Sequence, residues 1–183
     1  MKQKVVSKNQ RDTSLFGKHK TSAPAIYLAG AIEFSKDGGV SQRKKVKKYF
    51  EGTHINFIDP CDFEYNKTGQ TLRSYQLDKK NNILSCLLFA QKISEGDIEQ
   101  ILQSDGIIAI LDENCSVGTG SELTMAKICN IPVYAFIPDW SNWRKIHPWI
   151  IGQLEHNKIF VTYKELKQAI MKNYPEITLK DMQ

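Results

Sequence analysis

Short apolar runs and amphipathic stretches alternate along most of this chain, at the spacing of strands followed by helices. AIYLAGA (Ala25–Ala31) is a compact apolar run broken by glycine and reads as a first strand. Ser41–Glu51 follows with helical periodicity, placing Val46, Tyr49 and Phe50 on one face, and Gly52 stops it. Ile55–Asp59 forms a second strand, closed by Pro60. A polar, irregular stretch over Cys61–Gln70 leads to a helical segment at Ile83–Gln91 and a short helix at Ser94–Gln103. Gly106–Asp112 (GIIAILD) is the clearest strand, Thr119–Cys129 a helix, and Pro132–Pro138 a fourth strand. Lys158–Val161 and Lys164–Lys172 complete the series as a short strand and a helix, and no internal repeat is visible.

Five strands with intervening helices predict an α/β fold with a parallel sheet, because parallel neighbours need a crossover of about a dozen residues. Continuously apolar strands such as GIIAILD suit a sheet covered on both faces. In such a sheet a ligand sits beyond the carboxyl ends of the strands, near the reversal of strand order. The loops after Ala31, Asp59, Asp112 and Pro138 are therefore the places to search.

Charge changes the picture at one end only. The chain has 183 residues and a formal net charge of +5, but residues 1–24 hold six basic side chains against one acid. The rest balances, with 19 of each sign. We therefore expect a mobile basic tail over 1–24, one domain over 25–173 and a loose C-terminus over 174–183. Nucleic-acid binding is expected at most weakly, through that tail. No apolar run reaches membrane-spanning length and no secretory signal opens the chain. Cys61, Cys86, Cys115 and Cys129 form no C-x-x-C pair, which fits reduced thiols in a cytoplasmic protein.

Three stretches carry candidate chemistry. In Asp112-Glu113-Asn114-Cys115-Ser116-Val117-Gly118-Thr119-Gly120-Ser121-Glu122, two glycines admit close ligand approach and a helix points its first amides into the same space. Glu122 is expected in the first turn, either as an ionised nucleophile or, through Thr119-x-x-Glu122, as half of a capping box. Ser94-Glu95-Gly96-Asp97 leaves the same choice, since Asp97 can cap a helix or stand at the cleft rim and supply a proton. Tyr27-Leu28-Ala29-Gly30-Ala31-Ile32, with Gly38-Gly39 behind it, fits either a ligand-approach glycine at Gly30 or a tight turn. It lacks G-x-G-x-x-G, so NAD binding is not supported.

I-Y-L-A-G, then Asp97 eight residues before the strand-opening Asp105, then S-x-G-T-G-S-E, strongly resembles the nucleoside 2-deoxyribosyltransferase superfamily, which includes nucleoside 5′-monophosphate N-glycosidases. The resemblance runs from about Ala25 to Val161 and implies a flavodoxin-like, doubly wound, five-stranded parallel sheet in three α/β/α layers. It implies Glu122 as the nucleophile on the anomeric carbon, Asp97 as the group helping the base leave, and Tyr27 as the group orienting Glu122. It also implies a nucleoside or nucleotide substrate, a homodimer or larger homo-oligomer, and no metal or organic cofactor.

Ser116 stands six residues before Glu122, where the family's transferases place an aspartate and its monophosphate hydrolases a serine that binds phosphate. Gly118 would offer an amide beside it. Those hydrolases also have a serine and an arginine where this chain has Ala31 and Glu33, a departure that Arg43 offsets only if the fold returns it to the site. In Asp139–Trp149, the resemblance lets His147 and Trp149 reach a neighbouring subunit's site, with Trp149 stacking on a base; packing at an interface or over the core is the alternative. Two other functions fit the same residues. One is a nucleotide sensor without turnover, and the other a phosphoribohydrolase of the cytokinin-releasing type, whose usual P-G-G is replaced by Asn114-Cys115-Ser116.

Overall fold

A computed structural model describes residues 23–62 and 82–175. Five strands form one wholly parallel sheet: β1 (Ala25–Gly30), β2 (Asn56–Ile58), β3 (Gly106–Ile110), β4 (Val133–Phe136) and β5 (Ile159–Phe160). Their order is β2-β1-β3-β4-β5, so the chain leaves β1 toward one edge and returns to its other side. The switch point lies between β1 and β3, whose register runs from Ile26 opposite Gly106 to Gly30 opposite Ile110. This is the flavodoxin-like fold, as expected.

The described helices are α1 (Val40–Tyr49), α2 (Ile83–Gln103), α3 (Val117–Ile128), the four-residue α4 (Pro148–Ile151) and α5 (Tyr163–Asn173). Strand residues alternate between two cores. Ile26, Leu28, Ile108 and Phe136 meet Val46 and Phe50 of α1 and Leu166 and Ile170 of α5. Tyr27, Ala29, Ile107 and Ala109 face the opposite layer, against Ile101 of α2, Leu123 and Ala126 of α3, and Ile150 of α4. No described helix is long and apolar enough to cross a membrane. The four cysteines form no disulfide.

Four local expectations are corrected. The two helices expected at 83–91 and 94–103 are one helix of 21 residues, capped by Asn82, whose side chain accepts from the Ser85 amide. Ser94 does not start a helix; its hydroxyl bonds back to the Gln91 carbonyl inside one. The helix expected from Thr119 begins two residues earlier, with Ser116 at the N-cap, which moves Glu122 out of the first turn. Tyr49 is 41% exposed rather than inward, because it stacks on Tyr163 of α5 with ring centroids 5.3 Å apart. The sequence also gave no sign of the 3-10 helix at Trp140–Lys145 or of α4. Residues 1–22 of the expected tail, most of the irregular 61–70 stretch and the chain after residue 175 lie outside the described residues.

Candidate active site

Tyr27 is fully buried at the middle of β1, on the side that faces α2 and α3. Its hydroxyl lies 2.6 Å from Oε1 of Glu122 and 3.2 Å from Oδ1 of Asp97. Three residues from three elements thus meet at one oxygen. The capping alternatives fall away at both acids. Glu122 is the sixth residue of α3 and turns its carboxylate to Tyr27, while Asp97 lies in the fourth turn of α2, far from either end.

The phenol has a single proton to give, and Glu122 is the nearer acceptor. Burial raises the Tyr27 pKa well above the ordinary phenol value, and the charges of Glu122 and Asp97 add to the effect. The hydroxyl therefore stays protonated and remains a donor. Asp97 is pushed up from 3.8 to about 6, chiefly by burial, with the Tyr27 hydrogen bond and the charge of Arg43 pulling the other way. A carboxyl titrating near 6 can hold a proton near neutrality and release it readily. Cys115, near the end of the connection from β3 to α3, is pushed by burial to about 11, which makes it an inert thiol.

With Tyr27 buried behind them, Asp97 and Glu122 line a cleft of about 380 Å³. Its polar side holds Gly30, Ser116, Gly118 and Glu122, and Glu33 stands on the loop after β1. Gly30 has a φ of +150°, and a Cβ there would come within 2.6 Å of the Ile110 carbonyl oxygen, so the crossing at the switch point requires glycine. At Gly118 an added Cβ would meet only Ser116 Oγ, at 3.4 Å; packing leaves room for a side chain there, and the glycine keeps the helix start open. Ser116 makes no side-chain cap bond. The opposite wall is apolar, built by Phe89, Ile93, Ile98 and Ile101 of α2 with Met125 of α3. That wall was missed in the sequence, although Phe89 and Ile93, four apart, and Ile98 and Ile101, three apart, fall together once 83–103 is read as one helix.

Two expected ligand residues do not line this cleft. Arg43 is 2% exposed and turned behind the loop, where it donates to the carbonyls of Gly30, Ala31 and Gly39 at 3.0, 3.3 and 3.3 Å. It also pairs with Asp59 at 3.4 Å, so its charge is committed inside the fold. Trp149 is 61% exposed and lies over Gly120 on the other flank of α3, bordering a second hollow of about 720 Å³ with Phe34, Val117 and Ile128. Within one chain, Val117 and Ser121 stand between it and the carboxylates. His147 borders the same hollow and accepts the Trp149 amide at Nδ1. Among the described residues no group of three or more His, Cys, Asp or Glu side chains gathers to hold a metal.

Fold and site together define a class, an α/β protein with a tyrosine-bridged pair of carboxyl groups at its topological switch point. The chain belongs to the nucleoside 2-deoxyribosyltransferase family, whose model matches residues 26–171. Solved structures share the fold. A conserved protein from Enterococcus faecalis V583 is 20% identical, with 82% of this chain and 99% of that one covered and a TM-score of 0.57. A 2-deoxyribosyltransferase from Bacillus psychrosaccharolyticus is 20% identical over 78% of this chain and 90% of that one, with a TM-score of 0.53. A 2-deoxyribosyltransferase from Leishmania mexicana is 16% identical over 82% and 99%, with a TM-score of 0.55. No curated protein matches.

Proposed function

We propose that this chain cleaves the N-glycosidic bond of a nucleoside or nucleoside 5′-monophosphate through a covalent glycosyl–Glu122 intermediate. The observation that carries the reading is the Tyr27 hydroxyl held between Glu122 and Asp97, the two carboxyl groups that line the cleft. Glu122 attacks the anomeric carbon. The bond to the base nitrogen breaks, and its electron pair leaves with the base. Asp97 protonates the departing base, a role that suits a carboxyl whose pKa burial has raised to about 6. Tyr27 donates to Glu122 and fixes the oxygen that does not attack.

Water or a second base then takes the sugar and frees Glu122, so configuration at the anomeric carbon is retained overall. Retaining glycosidases work with two carboxyl groups held close together, and two carboxyls within 2.6 and 3.2 Å of one hydroxyl support the same reading here. The apolar wall of Phe89, Ile93 and Met125 provides a dry surface for the flat base. The copies of the chain are expected to associate, with Trp149 and His147 at or near the contact.

The test is incubation with a panel of ribo- and deoxyribonucleosides and their 5′-monophosphates, followed by chromatography for free base. Intact-protein mass spectrometry then seeks a pentose adduct that is absent in Glu122→Gln. Base release with an adduct on Glu122 supports the reading. Binding without release from any member of the panel overturns it and leaves a sensor.

A further inference from the structure

The buried cation behind the cleft has a larger part than packing asks of it. A guanidinium is costly to bury unless it is compensated; Arg43 bonds to three carbonyls through its two terminal nitrogens, and its Nε faces the Asp59 carboxylate at 3.4 Å as an ion pair. Asp59 is shared, since Lys47 also reaches it, at 2.6 Å. The carbonyls of Gly30 and Ala31 open the loop between β1 and α1, and that of Gly39 closes it. The turn inside the loop does not need the arginine. Asp37 already closes it by accepting from the Gly39 and Ser41 amides at 3.1 and 2.8 Å. What Arg43 adds is a tie between that turn and the end of β1, and the tied segment carries Gly30, Ile32 and Glu33 of the cleft.

We propose that Arg43 is a positioning residue of this site, acting without touching substrate by clamping the Gly30–Gly39 loop and by holding a positive charge behind Asp97. A lysine could supply the charge but not the fork, since an ammonium is a point donor and a guanidinium is planar and multidentate. The groups around Asp97 are Tyr27 from β1, Glu122 from α3, Glu33 on the loop and Ser94 on its own helix, with Arg43 behind and Asp59 and Lys47 behind Arg43. In that set Arg43 is the cation whose field favours the Asp97 carboxylate, opposing burial. Its loss raises the Asp97 midpoint, and loss of Asp59, which partly neutralises it, lowers the midpoint.

The consequence for turnover rests on Asp97 acting as the acid, so the experiment has one readout that needs no turnover. Carboxyl-13C-labelled aspartate is incorporated into the full chain, and the Asp97 resonance is identified by its disappearance in Asp97→Asn. The titration midpoint of Asp97 is then measured in wild type, Arg43→Met, Arg43→Lys and Asp59→Asn. Arg43→Met is expected to raise it by about half a unit or more, Arg43→Lys to leave it within about 0.3, and Asp59→Asn to lower it. On a substrate from the panel above, the alkaline limb of kcat/KM should move with the midpoint. Arg43→Lys should lose about tenfold in kcat/KM with its pH profile in place, because the loop is no longer clamped.

An unmoved midpoint in folded Arg43→Met overturns the charge role. Should Arg43→Met not fold, an unmoved midpoint in Asp59→Asn does the same. Full kcat/KM in Arg43→Lys overturns the clamp. If no substrate is turned over, the glycosidase reading falls, while the titrations still decide whether Arg43 governs Asp97.

Discussion

Tyr27 and Glu122 are 95 positions apart in the chain and meet at 2.6 Å, the shorter of the two contacts the tyrosine hydroxyl makes. In the proposed mechanism, a hydrogen bond this short, from a neutral donor to a carboxylate in a partly buried site, fixes which oxygen of Glu122 is left to attack. Tyr27→Phe removes the bond and keeps the ring. The fold should survive, and kcat should fall about ten- to a hundredfold with KM little changed. Steady-state base release and a thermal melt check both halves. An unaltered kcat would show that Glu122 needs no orienting partner.

Glu122→Gln retains shape and can still accept from Tyr27, but it cannot form the glycosyl ester. Turnover should fall on the order of a thousandfold or more, and the pentose adduct should vanish from the mass spectrum. The helix does not depend on this side chain for capping, so the melting temperature should stay near that of wild type. Near-normal base release from the folded variant would remove Glu122 from the mechanism.

Asp97 should give opposite answers in activity and stability. Its value rises from 3.8 to about 6 on folding, so its contribution to stability is present below pH 4 and lost as the pH climbs through about 6. Asp97→Asn avoids the buried charge, and its amide can donate to the Tyr27 oxygen while the phenol proton stays with Glu122. It should be more stable than wild type at pH 8, by about 1–3 kcal/mol once partial exposure is discounted, and the gap should close near pH 4. Its activity should be largely lost, while wild-type kcat/KM should decline above about pH 6. Denaturant melts at the two pH values and a pH–rate profile decide this. Equal stability at both pH values would mean that Asp97 is not strained by burial.

Glu33 and Ser116 border the same cleft and ask opposite things of a 5′-phosphate. A hydroxyl beside the amides that open α3 welcomes phosphate, and a carboxylate repels it. Glu33→Gln should therefore raise the rate on a monophosphate relative to its nucleoside by roughly tenfold, and Ser116→Asp should lower that ratio by a similar factor. Competition assays with each nucleoside and its monophosphate read the ratio directly. If neither substitution moves it, the phosphate does not enter this side of the cleft.

The strands at 25–30, 106–110 and 133–136 were legible because their apolar runs are uninterrupted, and each of the five lies within a residue or two of its expected place. Tyr27, Asp97 and Glu122 were legible as a set through order and spacing, but their surroundings were not. Ser94-Glu95-Gly96-Asp97 has the composition of a helix start, yet α2 runs through it, because contacts on both sides of that point hold one continuous helix and local propensity yields to packing. The helix start at Val117 was hidden by the Thr119-x-x-Glu122 pattern that begins two residues on. Arg43 carried no local signal of its fate, since its partners lie at the end of one strand, across a turn and after another strand. Such long-range pairing leaves no period in the sequence.

The alternation along β1 has a practical corollary. Ile26 and Leu28 belong to one core, and Tyr27 and Ala29 to the other. A slip of β1 by a single residue against β3 would exchange the two sets, sending the phenol into the α1–α5 layer and an aliphatic chain toward the carboxylates. A molecule misassembled in that way could keep its helices and solubility and still have no chemistry. Turnover would thus act as a built-in proofreading signal for strand alignment, reporting on assembly errors that circular dichroism or gel filtration would pass unnoticed.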